Sequence, residues 1–214
     1  MLCSETDFTS KNEDFHNAAQ KLCRTLLKAE RMPETPEGVE ALDAGAGKKI
    51  GDVIDEIISK TGEKITIGDF VRFELSGPGL LKCYVHFNQK VGTILQVETE
   101  NVQVAQNDAV QQLVNDLTLH ITAANPIVVR RDDVEPKLLA HEKEIAAAQV
   151  EGKPANIIDK IVTGKINKWF QQVVLLEQPF VKDDGKNISQ VLDEAAQSAG
   201  GKLSIKRFRR FQIG

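Results

Sequence analysis

Apolar side chains recur at helical spacing along residues 50–58, and the same pattern returns 138 positions later along 188–196. Each stretch is followed by a glycine, Gly62 or Gly200, and then by residues that alternate between apolar and polar. The helical spacing predicts a short amphipathic helix, the glycine predicts its end, and the alternation predicts a strand. The pattern therefore indicates two copies of a helix–glycine–strand unit.

The segments in front of these two copies are also similar to each other. Glu5-Thr6-Asp7 is followed by Asn12 and a predicted helix, and Glu98-Thr99-Glu100 is followed by Asn107-Asp108 and a second helix. Asn12 is a candidate N-cap, because its side-chain oxygen can accept a hydrogen bond from the first helical turn. The similarity suggests two related subdomains.

We predict an α+β fold in which both subdomains, 1–76 and 77–214, have antiparallel sheets and flanking helices. The second subdomain has two predicted strands, 81–87 and 91–97, ahead of its acidic turn. The first subdomain starts at Met1, only a few residues before its own turn, so its first hairpin is expected to be missing. A chain truncated in this way would expose an unpaired sheet edge.

An insertion is predicted in the second subdomain at about 133–172. Apolar residues at helical spacing indicate helices over 136–150 and 156–172, and Gly152-Lys153-Pro154 separates them. Two amphipathic helices joined by so short a turn form an antiparallel hairpin. Because such a hairpin cannot hide both apolar stripes by itself, it is a candidate protein–protein surface.

Composition narrows the class of protein. The chain of 214 residues is 41% hydrophobic and 27% charged, with a net charge of −4. A domain that binds nucleic acid usually has a basic surplus, so no direct nucleic-acid partner is expected. No apolar run reaches the length of a membrane span, and no signal peptide is visible. The three cysteines lack C-x-x-C spacing, which indicates free thiols and a cytoplasmic protein, or one of an organellar matrix or stroma.

No motif indicates catalysis, a cofactor or a metal. Gly45-Ala46-Gly47-Lys48 is not a phosphate-binding loop, because Leu42 and Lys49 stand where that loop needs glycine and serine or threonine. A flexible linker that opens at Pro33 and Pro36 is the better interpretation. The four histidines have no metal-ligand spacing, and no nucleophile motif occurs. The residues alone predict a binding protein that is not an enzyme.

Six short motifs follow one another along nearly the whole chain. They are Ser4 to Phe15 with Thr6-Asp7-Phe8, Lys60-Thr61-Gly62-Glu63-Lys64-Ile65, Tyr84-Val85-His86 with Val91-Gly92, His120-Ile121-Thr122-Ala123-Ala124-Asn125-Pro126, Gly152-Lys153-Pro154, and Leu176-Glu177-Gln178-Pro179-Phe180-Val181. This series resembles the translation elongation factor Ts family. The resemblance implies a core of two similar subdomains with a coiled-coil hairpin inserted in the second.

The resemblance also implies a function, that of a guanine-nucleotide exchange factor for elongation factor Tu in its GDP-bound and nucleotide-free states. Asp7 and Phe8 would enter the partner near its phosphate and magnesium site, and Phe8 would act as a wedge that promotes GDP release. Such release is differential binding, with no bond made or broken. The residues implied to meet the partner are Thr6, Asp7, Phe8, Thr61, Gly62 and His86.

The chain departs from the family pattern in several places. The family's N-terminal helical module and the first hairpin of the core are expected to be missing. Thr9 and Thr61 replace the usual valine and isoleucine, and 87–90 stands where a glycine-rich turn is commoner. We expect weakened binding to elongation factor Tu, which a titration beside a full-length relative would test.

Two alternatives remain open at this stage. The first is an interaction or assembly module of the same fold that binds its partner without accelerating exchange, or forms a homodimer through the helical hairpin. The second is an RNA-associated protein that uses Arg207, Arg209 and Arg210, which alternate with aromatic residues. The second predicts binding that falls steeply with salt, and the acidic net charge counts against it.

Overall fold

The computed structural model describes residues 1–150 and 154–213, and it gives no side-chain surroundings for residues 155 and 156. The chain forms two compact units, Met1–Phe73 and Glu74–Gln212, and each is described by itself. Within the described residues, no helix combines the length and the apolar character needed to cross a membrane. Mixed helices and small antiparallel sheets confirm the predicted α+β class.

The first unit surrounds one small apolar core. Its elements are β1 (Leu2–Cys3), α1 (Asp7–Ser10), α2 (Glu13–Lys28), α3 (Pro36–Glu40), β2 (Asp43–Gly45), β3 (Lys48–Lys49), α4 (Ile50–Thr61) and β4 (Thr66–Ile67). The predicted N-cap is confirmed, since Asn12 Oδ1 accepts a hydrogen bond from the N–H of Asp14 at 2.8 Å. One apolar face of α2 and one of α4 pack together in the core, through residues that include Phe15, Leu22 and Ile54.

The second unit is built on a three-stranded antiparallel sheet. Its elements are β5 (Gly79–Val85), β6 (Val91–Thr99), α5 (Val102–Gln106), α6 (Asp108–Ala124), α7 (Pro136–Ala148), α8 (Ala155–Val173), β7 (Pro179–Phe180), β8 (Asp183–Asn187), α9 (Ile188–Ala199) and β9 (Leu203–Gln212). The strands lie in the order β5-β6-β9. The core contains Leu95, Val97 and Ile205 from the sheet with Leu117 and Ile188 from the helices. The two strands predicted on either side of residues 88–90 are therefore confirmed.

A buried polar network ties three segments of the second unit together. His120 has no exposed surface, and its Nδ1 accepts a hydrogen bond from the N–H of Val181 at 3.3 Å. Its Nε2 therefore carries the proton and donates to Gln178 Oε1 at 2.9 Å. Gln178 Nε2 in turn donates to the carbonyls of Ala124 and Gln172, at the ends of α6 and α8. Burial lowers the pKa of His120, which keeps the ring neutral.

Helices α7 and α8 pack against each other through a separate apolar cluster. Ala146 on α7 and Ile166 and Phe170 on α8 are buried in this cluster. The two helices predicted in the insertion are thus present, whereas their coiled-coil geometry stays a prediction. Gly152 and Lys153, which the sequence analysis placed at the turn, lie outside the described residues.

The two units repeat the same local structures. Helices α4 and α9 have the same length of 12 residues, and each ends at a left-handed glycine, Gly62 with φ of 72° and Gly200 with φ of 70°. Glu5 Oε2 accepts a hydrogen bond from the N–H of Lys64 at 3.1 Å, and Glu100 Oε2 accepts one from the N–H of Lys202 at 2.9 Å. Glu100 is therefore the counterpart of Glu5. The sequence alignment, which set Glu98 against Glu5, was out of register by two residues.

The strand predicted after Gly62 is much shorter than expected. Only Thr66 and Ile67 are in a strand, whereas β9 continues for ten residues after Gly200. A strand persists only where a neighbour accepts and donates its hydrogen bonds. In the first unit that neighbour is β1, with two residues in the pairing, whereas β9 pairs with β6 along its length.

The flexible linker predicted around residues 45–48 is wrong. The segment is a tight antiparallel hairpin formed by β2 and β3. Gly45, Ala46 and Gly47 all have positive φ, and the two glycines adopt this conformation without steric cost. The Asp43 carboxylate closes the turn by accepting a hydrogen bond from the N–H of Gly45 at 2.7 Å. Composition alone could not separate a linker from a turn made of the same residue types.

Candidate partner-binding surface

The surface begins with the short helix α1, which carries two of the predicted contact residues. Asp7 is its first residue and Phe8 its second. Thr6 caps it, with the hydroxyl oxygen accepting a hydrogen bond from the N–H of Thr9 at 3.4 Å. Thr9, the third residue of the helix, is buried and holds the helix against the rest of the first unit. The segment that contains Asp7 and Phe8 is thus a capped helical turn, and its Thr9 side faces the interior.

Glu63 fixes the start of α1 from the opposite side. Its carboxylate accepts a hydrogen bond from the N–H of Thr6 at 3.0 Å and a second from the Thr6 hydroxyl. The Thr6 hydroxyl is the main cause that lowers the pKa of Glu63, because it stabilises the ionised carboxylate. Lys60 Nζ adds an ion pair to Asp14 Oδ2 at 2.7 Å. Glu63 therefore holds the start of α1 to the turn after α4, and the ion pair joins the last turn of α4 to the first turn of α2.

Phe8 points away from everything in its own unit. Its side chain is 92% exposed, and it is the most exposed large apolar residue of the described chain. A phenylalanine buries its ring in most folds, so an exposed one on a rigid element marks a binding position. Phe8 is therefore a surface residue, and its role stays a prediction.

Thr61 and Gly62 lie in the turn that holds α1. The Thr61 hydroxyl donates to the carbonyl of Ile57 at 2.8 Å and accepts a hydrogen bond from the N–H of Glu63 at 3.3 Å. Gly62 is exposed, and a Cβ there would meet open space, so only its φ of 72° favours glycine. The structure thus brings Thr6, Asp7 and Phe8 together with Thr61 and Gly62.

His86 belongs to the second unit, at the tip of the β5–β6 hairpin. Its Nδ1 lies 3.0 Å from the hydroxyl of Tyr84. The ring of Phe87 packs on the His86 ring, with centroids 4.3 Å apart, and is itself 87% exposed. The tip therefore presents an aromatic pair whose orientation is fixed on one side by Tyr84.

Glu63 and Phe87 were not among the residues predicted from the sequence to meet the partner. Glu63 follows the C-terminal glycine of α4, and a glycine, Gly201, stands at the same place in the second unit. This difference between the two units was the signal in the sequence that could have pointed to Glu63. For Phe87 the signal was an aromatic residue at a turn where the family more often has glycine. The contact of Glu63 with Thr6 joins segments 57 residues apart, and the exposure of Phe87 is a property of the folded hairpin.

The geometry of the described residues supports binding to another molecule. Among the described residues, no group of three or more His, Cys, Asp or Glu could hold a metal ion. An exposed aromatic on a rigid helix is instead what an anchor residue at a protein–protein interface requires. The fold and this surface together define an α+β protein–protein binding module.

The comparison with known proteins places this module in one family. The family model described as elongation factor TS matches residues 5–214. The elongation factor Ts of Nitratiruptor sp. is 38% identical over 218 residues, which cover 99% of this chain and 68% of that protein. Those of Aquifex aeolicus and Symbiobacterium thermophilum are 37% and 36% identical, over 100% and 98% of this chain and 72% and 67% of the relatives. The chain belongs to the elongation factor Ts family, and this family places it among the factors of translation elongation.

Proposed function

We propose that this chain is a guanine-nucleotide exchange factor that binds elongation factor Tu and releases its GDP. The observation that carries the proposal is the position of Phe8, which is exposed on a helix locked by Thr6 and Glu63. A rigid aromatic side chain loses little conformational entropy when it enters a pocket, so its burial contributes to affinity and to distortion of the partner. Family membership supplies the identity of the partner.

The proposed mechanism is release by differential binding. Asp7 and Phe8 insert beside the phosphate and magnesium site of elongation factor Tu, and Phe8 separates side chains that support the ion. GDP is bound largely through that ion and backbone N–H groups, so a small displacement lowers its affinity. By linkage, GDP weakens the binding of this chain by the same factor. Asp7 lies in the first turn of α1, where the helix dipole favours its negative charge.

The second part of the proposed contact is the hairpin tip with His86 and Phe87. Aromatic and histidine side chains at a fixed turn can add contact area beyond the Phe8 pocket. The turn with Thr61 and Gly62 contributes an open backbone that a partner can approach closely, since nothing lies within 4 Å of the added Cβ position at Gly62.

The test is the release of a fluorescent GDP analogue from elongation factor Tu with and without the chain. We expect the chain to accelerate release and Phe8→Ala to abolish most of the acceleration. Leu27→Ala is the matched control, since Leu27 is also an exposed apolar residue of the first unit. A chain that binds elongation factor Tu without accelerating release would contradict the proposal.

That last outcome would favour the second candidate, an assembly module of the same fold. Its supporting observation is that α7 and α8 leave Ile145 and Ile157 exposed on the helix pair. We propose that these helices, with coiled-coil geometry, mediate contact with elongation factor Tu or with a second copy of the chain. Analytical ultracentrifugation of the wild-type chain beside Ile145→Glu would detect the homodimer.

A further inference from the structure

A shallow groove of about 510 Å³ lies in the first unit, between the C-terminal half of α2 and strand β2. Its lining combines a basic wall with a small apolar floor. The wall consists of Lys21, Arg24 and Lys28 on α2, and the floor contains Leu42 and Ala44. None of the surface residues proposed to contact elongation factor Tu lines this groove.

The three cations form one row on the helix surface. Their spacing of three and four positions places them on the same face of α2. Throughout the described ranges 1–150 and 154–213, none of the three side-chain cations makes a hydrogen bond or an ion pair. Asp43 also lines the groove, but its carboxylate accepts the N–H of Gly45. The groove therefore has more positive charge than its own residues neutralise.

In the second unit, an ion pair closes the position that is equivalent to this groove. The counterpart of Lys21 is Asp116 on α6, and the counterpart of Ala44 is Lys182. Lys182 Nζ forms an ion pair with Asp116 Oδ1 at 2.7 Å. The backbone of Val181 next to it donates to His120, so the segment lies directly on α6. In the first unit the small Ala44 cannot span this distance, and Lys21 forms no ion pair with a described residue.

We propose that this groove binds an acidic peptide segment of a partner protein. Carboxylates of the segment would pair with Lys21, Arg24 and Lys28, and one apolar side chain would lie on Leu42 and Ala44. Charge complementarity identifies the occupant as an anion, since three cations in a row attract negative charge and repel basic segments. The apolar floor and the net charge of −4 favour a peptide over nucleic acid, whose backbone offers only phosphates and sugars.

The binding test uses the full chain labelled with ¹⁵N and a short peptide in which glutamate and leucine alternate. We expect saturable chemical-shift changes at Lys21, Arg24, Lys28 and Ala44, and weaker binding at higher salt. A peptide of alternating glutamine and leucine is the matched control and should leave these signals in place. Inorganic phosphate and a single-stranded RNA oligonucleotide are titrated in parallel.

A variant that copies the second unit makes the test specific. Lys21→Asp combined with Ala44→Lys recreates the ion pair that closes the groove there, and we expect at least about a tenfold loss of peptide affinity, a change of about 1.4 kcal/mol. Lys11→Asp combined with Ala19→Lys applies the same changes elsewhere on the first unit and should preserve binding. The proposal is overturned if the peptide does not bind, if the groove variant binds it equally, or if phosphate or RNA binds the groove as tightly as the peptide.

Discussion

The first and second units both carry a short helix followed by an asparagine-capped long helix, α1–α2 in one and α5–α6 in the other. The second residue of the short helix is Phe8 in the first unit and Gln103 in the second. Both side chains are exposed. Because the same backbone accepts glutamine at this position, the fold does not require an aromatic residue there. The difference supports the proposal that Phe8 contacts the partner.

The supports beneath the two short helices differ as well. In the second unit Val104 is buried against Gly201, where an added Cβ would lie 2.5 Å from Val104 Cγ2. In the first unit the corresponding pair is Thr9 and Glu63, and the Glu63 carboxylate reaches Thr6 at the start of the helix. Apolar packing supports α5, whereas hydrogen bonds to a carboxylate support α1. In the first unit, hydrogen bonds between Glu63 and Thr6 thus hold the helix that carries the exposed Phe8.

The largest expected effect comes from giving the first unit the residue of the second. Phe8→Gln should slow the accelerated release of GDP from elongation factor Tu at least about tenfold, because anchor residues of this kind contribute most of an interface's affinity. Its melting temperature should match that of the wild-type chain, since the side chain has no internal contacts to lose. Release kinetics with a fluorescent GDP analogue and a thermal melt measure the two quantities.

The control is a substitution at Gln103, which occupies the same position in the second unit as Phe8 does in the first. Gln103→Ala should leave release unchanged, because the second unit's helix carries no anchor. If Gln103→Ala and Phe8→Gln slowed release equally, the two helices would be equivalent for function and the comparison would fail.

A large effect on stability is expected at the support of α5. Gly201→Ala should destabilise the chain by about 1–3 kcal/mol, because the new methyl group collides with the stiff, buried side chain of Val104. Urea unfolding measures this loss. Gly77→Ala is a suitable comparison, since an added Cβ there meets open space. Equal stabilities of the two variants would contradict the described packing.

A smaller effect is expected at the support of α1. Glu63→Ala removes both acceptors of the Thr6 hydrogen bonds and should lower the exchange rate several-fold without unfolding the core, because Phe8 is then held less rigidly. Amide hydrogen exchange should become faster at residues 6–10. Unchanged protection of those amides would show that Glu63 does not hold the helix.

The smallest effect is expected when the pH is lowered and the contact of Glu63 with Thr6 is weakened. Hydrogen bonds from Thr6 lower the pKa of Glu63 in the folded chain, so its contact contributes above the ordinary glutamate pKa and is lost as the pH falls through the lowered value. We expect the amides of α1 to lose protection as the pH falls below the ordinary range of a glutamate pKa, before those of α5. Hydrogen exchange followed by NMR at a series of pH values measures this order. Simultaneous loss in both helices would contradict it.

Local signals in the sequence predicted the helices well. The apolar spacing and the following glycines located α4 and α9, and Asn12 was correctly predicted to cap α2. These features depend on residues within a few positions of each other. The strand after Gly62 and the hairpin at residues 45–48 were mispredicted, because the pairing of one segment with another decides them.

The candidate surface was predictable in part. Thr6, Asp7, Phe8, Thr61, Gly62 and His86 came from a resemblance, and the structure adds the exposure of Phe8. Glu63 was not predicted, because its partner Thr6 lies 57 residues away and no local pattern connects the two residues. Phe87 was not predicted because a phenylalanine at a turn can pack inward or outward, and only its exposure in the structure shows which.

The most direct test of the central claim follows the Phe8 ring itself. A fluorinated phenylalanine placed at position 8 reports the surroundings of that ring through its ¹⁹F NMR signal. We expect one signal typical of a solvent-exposed ring in the free chain, and a shifted, broadened signal after addition of nucleotide-free elongation factor Tu. A signal that stayed at its free position while the two proteins formed a complex would contradict the claim that Phe8 enters the partner.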